Sequence, residues 1–119
     1  MLMTEVSLAD RNCVPCEGGV PTLSPAEAER MLADRPGWTL IADGKAIQRK
    51  LKVRSFRAAL DFFQRVGTVA EAEQHHPDLH LTGYRNVKVE LTTHAIGGLS
   101  ENDFILAAKI DRLPVELAR

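Results

Sequence analysis

The sequence predicts an α+β fold in which three helices pack on one face of a four-stranded antiparallel sheet. Three capped segments with apolar residues every three or four positions are separated by two pairs of short segments in which polar and apolar residues alternate. The order is therefore α-β-β-α-β-β-α, and hairpins separated by helices are typical of a two-layer fold. The length of 119 residues suits one domain, which we place at residues 22–119 behind an irregular N-terminal arm of residues 1–21.

The first helix is predicted over residues 25–33. The Ser24 side chain can accept a hydrogen bond from an early backbone N–H group, and Glu27 can complete a capping box. Pro25 stands at the first helical position, which suits proline. The helix should end before Pro36, because proline cannot continue it.

Two strands follow at residues 38–41 and 46–53, joined around Asp43-Gly44, a strong hairpin-turn signal. The second strand alternates, as expected for a sheet with one face in water. One face carries Ile47, Arg49, Leu51 and Val53, and the other carries Gln48, Lys50 and Lys52.

A longer helix is predicted over residues 56–74, with Ser55 as its N-cap. We assign its buried face to a stripe of apolar residues at helical spacing. Phe62 lies off that stripe, which leaves it available for a second apolar contact. The stripe consists of Phe56, Leu60, Phe63, Val66 and Ala70.

The second hairpin is predicted from residues 78–84 and 86–94. Gly97-Gly98 then interrupts the chain. The last helix begins after Ser100, and Pro114 disturbs or ends it.

Bulk composition argues against several classes of function. The net charge of −1 does not indicate binding to nucleic acid or to an anionic membrane. An aromatic content of 5% argues against a surface on which nucleic-acid bases stack. No segment approaches the roughly 20 apolar residues of a membrane span, and the N-terminus lacks a secretory signal pattern. We therefore expect a cytoplasmic protein with no nucleic-acid or membrane partner.

The segment EAEQHHPDLH at residues 71–80 contains three of the four histidines. Pro77 disfavours the helical conformation at His76, so the helix should stop near His75 and leave two adjacent imidazoles at a rigid corner. Glu71 is expected to share a helix face with His75, four residues later. Imidazoles suit acid–base chemistry near neutral pH. For this stretch alone, a solvated helix end is an equally good interpretation.

His94 favours the chemical interpretation. It ends the fourth predicted strand, which can meet the end of the second helix in a sheet covered by helices. The alternative is a polar residue at a strand end. Asp103 fits a capping box with Ser100 and can still reach a site. His80 alternates with apolar neighbours on a strand, so we expect it to face water or a cross-strand residue.

A metal site is not predicted. His76 and His80 have one of the spacings typical of zinc sites, and Cys13 and Cys16 have the other, but about sixty residues separate the two pairs. The cysteine pair also lacks the preceding strand of a thioredoxin-like site. We interpret it as two reduced thiols in the arm.

The spacing E-x3-H-H-P-x6-Y-x9-H-x8-D at residues 71–103 resembles the signature of the pterin-4a-carbinolamine dehydratases. The first capped helix, the Trp-led hairpin, the long helix and the THxxxGLSxxD segment are also similar to that family. The CVPCEGG segment is similar to the N-termini of many bacterial members. The resemblance covers nearly the whole chain.

This resemblance implies a lyase that converts 4a-hydroxytetrahydrobiopterin to quinonoid dihydropterin and water, in tetrahydrobiopterin recycling. It implies no cofactor and no metal. The implied catalytic residues are His75, His76 and His94, which would surround the pterin. His75 and His76 would share acid and base duties, and His94 would orient the substrate or polarise its leaving hydroxyl.

The resemblance also implies that Glu71, Thr93 and Asp103 help to form the pocket. Gln74 would be a further substrate-binding residue. Its position is often acidic in the family, so contacts to the amino-pyrimidine edge of the pterin are expected to be weaker here.

The implied assembly is a homodimer or homotetramer. Two other classes of function stay open. One is a non-catalytic binding protein on the same fold, either a transcription cofactor or an enzyme-assembly factor. The other is a metal or redox module that uses Cys13 and Cys16. The presence of all three histidines favours the enzyme.

Overall fold

Helices and hairpins follow one another in the predicted order within residues 8–14 and 21–118, which the computed structural model describes. The α+β prediction is confirmed. The helices are α1 (Pro25–Leu32), α2 (Phe56–Glu73) and α3 (Glu101–Asp111), and the strands are β1 (Trp38–Ile41), β2 (Ala46–Lys52), β3 (Asp78–Thr82) and β4 (Asn86–Leu91).

The four strands form one antiparallel sheet in the order β1-β2-β4-β3. On β4, Val87, Val89 and Leu91 are buried beneath the helices, and the residues between them are partly exposed. This alternation produces one covered face and one open face, as the sequence pattern predicts.

The first helix begins as its capping box predicts. The Glu27 carboxylate accepts from the Ser24 N–H group at 2.9 Å, and the Ser24 hydroxyl accepts from the Glu27 N–H group at 3.2 Å. The backbone hydrogen bond, followed by the hydroxyl, lowers the pKa of the Glu27 carboxyl. Because the folded-state pKa is depressed, this contribution to stability is present near neutral pH. It is lost as the pH falls through the lowered value.

The buried face of α2 differs from the predicted stripe. Phe62 is fully buried, whereas Phe56 is 51% exposed and Leu60 is 41% exposed. The assignment of Phe62 outside the stripe was therefore wrong. At 100° per residue, the true buried face is rotated by about 70° from the predicted one, and Val66 and Ala70 belong to both. Both faces have helical spacing. The prediction favoured the large apolar side chains of Phe56 and Leu60 over the small ones of Ala58 and Ala59, which are the buried residues. The buried residues are Ala58, Ala59, Phe62, Val66 and Ala70.

Helix α3 is buried without interruption from residue 102 to residue 108. Its two sides are covered differently: one packs in the core with α2, and the other contacts the described part of the N-terminal arm, where Leu8–Asp10 forms a short 3-10 turn. Residues 8–14 therefore lie on the domain. The division at residue 21 stays a prediction.

A charged cluster joins the end of α3 to the first hairpin. The Asp111 carboxylate accepts from the indole N–H group of Trp38 at 3.0 Å and contacts the guanidinium groups of Arg49 at 2.6 Å and Arg35 at 3.3 Å. This explains why Arg49 lies on the covered face of β2 among apolar residues.

Within the described ranges, no helix has the length and apolar character needed to cross a membrane.

The α2 assignment is tested by two matched substitutions. Phe62→Ala removes a buried ring and should lower the free energy of unfolding by about 3–5 kcal/mol. Phe56→Ala removes a half-exposed ring and should change it by less than about 1 kcal/mol. Urea denaturation measures both. A larger loss in Phe56→Ala than in Phe62→Ala would favour the stripe expected from the sequence.

Candidate active site

A left-handed residue ends α2 and creates the histidine corner. Gln74 has φ 53° and ψ 39°, and the next N–H group, that of His75, donates to the Ala70 carbonyl at 3.2 Å. Pro77 prevents a return to helix. The turn gives the two imidazoles different environments, because His75 is buried and the His76 side chain is 58% exposed.

The buried imidazole contacts a buried carboxylate. His75 Nε2 lies 2.6 Å from Asp103 Oδ1, and Asp103 is fully buried in the first turn of α3. The other carboxylate oxygen accepts from the Thr93 hydroxyl at 2.8 Å and from the Ser100 N–H group at 3.0 Å. Asp103 therefore caps α3 and contacts the histidine corner with the same carboxylate.

This network favours one tautomer of His75. An ionised carboxylate only accepts hydrogen bonds, so its partner nitrogen must donate. The neutral ring then carries its proton on Nε2, and Nδ1 is left as the nitrogen that can accept one. If Nδ1 of His75 accepts a proton, the Asp103 carboxylate would stabilise the resulting imidazolium, as the carboxylate does in a Ser-His-Asp triad.

The exposed imidazole has its own carboxylate. His76 Nε2 lies 2.5 Å from Glu71 Oε2, and the Gln74 side-chain amide donates to the Glu71 carbonyl at 2.8 Å. The expectation that Glu71 and His75 share a helix face was wrong, because α2 ends at Glu73 and the left-handed turn at Gln74 takes His75 out of helical register. Glu71 contacts the following histidine instead.

A tight loop carries the third imidazole. The strand β4 ends at Leu91, so its predicted extent to residue 94 was wrong. Beyond it, the Thr93 N–H group donates to the Gly98 carbonyl at 2.9 Å, and a 3-10 turn covers His94–Ile96. Gly97 closes this turn with φ 68°. His94 is exposed at the turn, and its carbonyl accepts from the Gly97 N–H group at 3.2 Å, whereas its imidazole makes no hydrogen bond to another residue within the described ranges.

These segments border an open cavity of about 190 Å³ between the end of α2 and the loop after β4. Five of the seven predicted site residues line it, and the other two, Glu71 and Asp103, hold the imidazoles of His76 and His75. Sequence reasoning missed Thr92 and Ala95, whose residue types gave no signal. The lining residues are Gln74, His75, His76, Thr92, Thr93, His94 and Ala95.

The remaining histidine lies outside this cavity. His80 is exposed on the open face of the sheet, with Nε2 3.5 Å from Glu90 Oε1. It borders a larger concavity of about 480 Å³, together with Lys50, Lys52 and Lys88. That surface contains no buried imidazole–carboxylate pair, so we favour the smaller cavity as the reactive site.

Metal ligands are not grouped in the part of the chain described here: no cluster of three or more His, Cys, Asp or Glu side chains could hold an ion. The N–H group of Cys13 donates to Glu73 Oε1 at 2.7 Å. Cys16, the other half of the predicted thiol pair, lies outside the described residues.

Comparisons with known proteins identify relatives over most of the chain. The family model of pterin 4 alpha carbinolamine dehydratase matches residues 21–113. Pterin-4-alpha-carbinolamine dehydratase 2, mitochondrial, of Arabidopsis thaliana is 51% identical over 95% of this chain, and the match spans 64% of that protein. A protein of Halorhodospira halophila whose name refers to the same dehydratase is 53% identical over 91% of this chain and 98% of its own length.

A solved structure has the same fold. The crystal structure of a transcriptional coactivator/pterin dehydratase from Brucella melitensis superimposes with a TM-score of 0.71 at 31% identity, covering 76% of this chain and 96% of that one. Fold, sequence and the histidine spacing agree, and the chain belongs to the pterin 4 alpha carbinolamine dehydratase family.

Proposed function

We propose that this protein is a lyase that dehydrates 4a-hydroxytetrahydropterins, with 4a-hydroxytetrahydrobiopterin as the expected substrate in pterin recycling. The observation that supports it most directly is the cavity lined by His75, His76 and His94. Two of these imidazoles have a carboxylate partner. The names of the relatives give the reaction class.

The proposed reaction needs two proton transfers. The bond between C4a and the hydroxyl oxygen breaks, and a C=N bond forms between C4a and N5. One proton goes to the departing oxygen, which leaves as water, and one proton is lost from N5. Two imidazoles in opposite protonation states can perform both transfers, and the proposed reaction requires neither a metal nor a redox cofactor.

We assign the base to His75. Its Nε2–H group is directed at the Asp103 carboxylate, and Nδ1 is left to take the proton from N5. We assign the acid to His76, because an exposed imidazolium beside Glu71 can recover its proton from water after each turnover. His94 would hold the substrate near its leaving hydroxyl.

Two other lining residues contribute differently in this proposal. The Thr93 hydroxyl donates to Asp103 and contacts the Ser100 hydroxyl at 2.8 Å, so it supports the carboxylate that holds the base. The side-chain amide of Gln74 donates to a backbone carbonyl, which leaves its oxygen to accept a hydrogen bond from the amino-pyrimidine edge.

A binding role is the second candidate. Phe56 and Leu60 form an exposed apolar face on α2, which fits self-association as a homodimer or homotetramer, or contact with another protein. The Brucella protein is described as a coactivator as well as a dehydratase. A cytoplasmic location stays a prediction.

The dehydratase proposal is tested by stopped-flow dehydration of synthetic 4a-hydroxytetrahydropterin. The wild type should accelerate the spontaneous reaction. His75→Ala and His76→Ala should each lower kcat by about 100-fold, because each removes a proton-transfer group. His94→Ala should mainly raise KM. His80→Ala is the matched control, since this exposed histidine lies outside the cavity, and its rate should equal that of the wild type.

No acceleration by folded wild-type protein would reject the enzyme, and the α2 face would then direct a search for a protein partner. An equal loss in His80→Ala would contradict the assignment of the site.

The two carboxylates should differ in their effect on turnover. Asp103→Asn keeps the shape of a buried side chain but removes its charge, so kcat should fall by about 100-fold as His75 loses its tautomer control. Glu71→Gln changes an exposed partner and should cost less than about fivefold. Single-turnover rates measure both, with near-UV circular dichroism as the folding control. Equal losses would contradict the assignment of His75 as the more constrained group.

A further inference from the structure

The described part of the N-terminal arm contacts the end of α2, which precedes His75, and the first turn of α3, which carries Asp103. Two consecutive arm residues bridge these elements. The Cys13 N–H group donates to Glu73, the last residue of α2, while the Cys13 thiol, 3.6 Å from the Asn102 carbonyl, and the Val14 backbone both contact Asn102 in the first turn of α3. These contacts lie beside the candidate site in sequence, because Glu73 precedes His75 by two residues and Asn102 directly precedes Asp103.

The contact with α3 is a two-way pairing between a side chain and the backbone. The Asn102 side chain accepts from the Val14 N–H group at 3.0 Å and donates to the Val14 carbonyl at 2.7 Å. Asn102 is only 2% exposed. Loss of the arm contact would remove both of these hydrogen bonds from a buried side chain next to Asp103, which is costly.

The contact with α2 involves a charge. Glu73 Oε1 accepts from the Cys13 N–H group at 2.7 Å, and Oε2 lies 3.5 Å from Lys109 Nζ. Lys109 also donates to the Ala9 carbonyl at 2.9 Å. The Glu73 and Lys109 side chains are 10% and 18% exposed, so this ion pair is partly protected from solvent. It joins the end of α2, the last turn of α3 and the described part of the arm.

We propose that the arm is a positioning element of the active site, and that Glu73 and Asn102 are the positioning residues through which it acts. His75 and Asp103 come from different elements, and their contact of 2.6 Å depends on the relative placement of two helix ends. The arm spans those ends through two adjacent residues. This proposal rests on the proposed function for its effect on catalysis, since small displacements of a proton-transfer pair are costly in rate.

A purely structural cover over α3 is the competing explanation. Such a cover would contribute to stability without changing the His75–Asp103 contact or the rate constant of the folded enzyme. The test therefore needs a readout of that contact which does not depend on turnover.

The experiment uses the full-length chain with Asn102→Ala and Glu73→Ala. Each should lower kcat by about tenfold and change KM by less than about twofold. In each, the His75 imidazole N–H proton should exchange with solvent faster than in the wild type, as measured by NMR. Glu73→Gln keeps an acceptor for the Cys13 N–H group and should recover most of the rate.

The matched control is Asp10→Ala. It removes an exposed ion pair between the arm and Arg112 on the C-terminal side of α3, away from the candidate site, and should leave kcat and the His75 exchange rate unchanged.

A lower melting temperature in both variants, with kcat and the His75 exchange rate at wild-type values, would overturn the proposal and leave the arm as a cover. If Asn102→Ala does not fold, kcat and the His75 exchange rate are compared in Glu73→Ala and Glu73→Gln alone. If the wild type fails to accelerate dehydration, the proposed function falls separately. Faster His75 exchange in the variants would still support positioning by the arm, and unchanged exchange would overturn it.

Discussion

The candidate site depends on one buried carboxylate. Asp103 is fully buried, and a charge in that position is costly unless hydrogen bonds replace its lost hydration. The partners come from three places in the chain: the Thr93 hydroxyl after β4, the Ser100 N–H group at the start of α3, and His75 after α2. Satisfying this carboxylate therefore brings three segments together. The hydrogen bond between His75 and Asp103 therefore has two effects. It helps to stabilise the buried carboxylate, and it orients the imidazole of His75.

Two left-handed residues place those segments. Gln74 turns the chain at the end of α2, and Gly97 closes the loop that presents His94. Gln74 is not glycine, so its conformation carries a local cost. The side-chain hydrogen bond to the Glu71 carbonyl and the His75 hydrogen bond to the Ala70 carbonyl offset that cost. Helix α2 must also lie in the correct rotation, which its small residues allow by letting it pack closely on the core.

Local signals in the sequence were enough to predict the element order, both hairpins and the capped helix starts, because a cap or a turn depends on residues that are close together in sequence. The rotation of α2 was mispredicted because two faces satisfy the same periodicity, and only packing against the sheet distinguishes them. The shared helix face of Glu71 and His75 was mispredicted because nothing in the sequence marks a left-handed glutamine at position 74. The Asp111 cluster was not foreseen, since it joins residues that are far apart in sequence. The family resemblance supplied the histidine set, and the structure brings its members to one cavity without testing their roles.

The cavity combines one rigid side and one open side. His75 is fixed by a buried carboxylate, whereas His76 and His94 are exposed, and His76 contacts a carboxylate that is itself exposed, that of Glu71. A base must be aligned before the proton leaves nitrogen, so rigidity is useful there. An acid that delivers a proton to the departing hydroxyl must regain a proton from solvent before the next turnover, so exposure is useful there. The asymmetry in burial between two adjacent histidines therefore follows the asymmetry of the proposed reaction, and the left-handed turn at Gln74 is what separates the two environments.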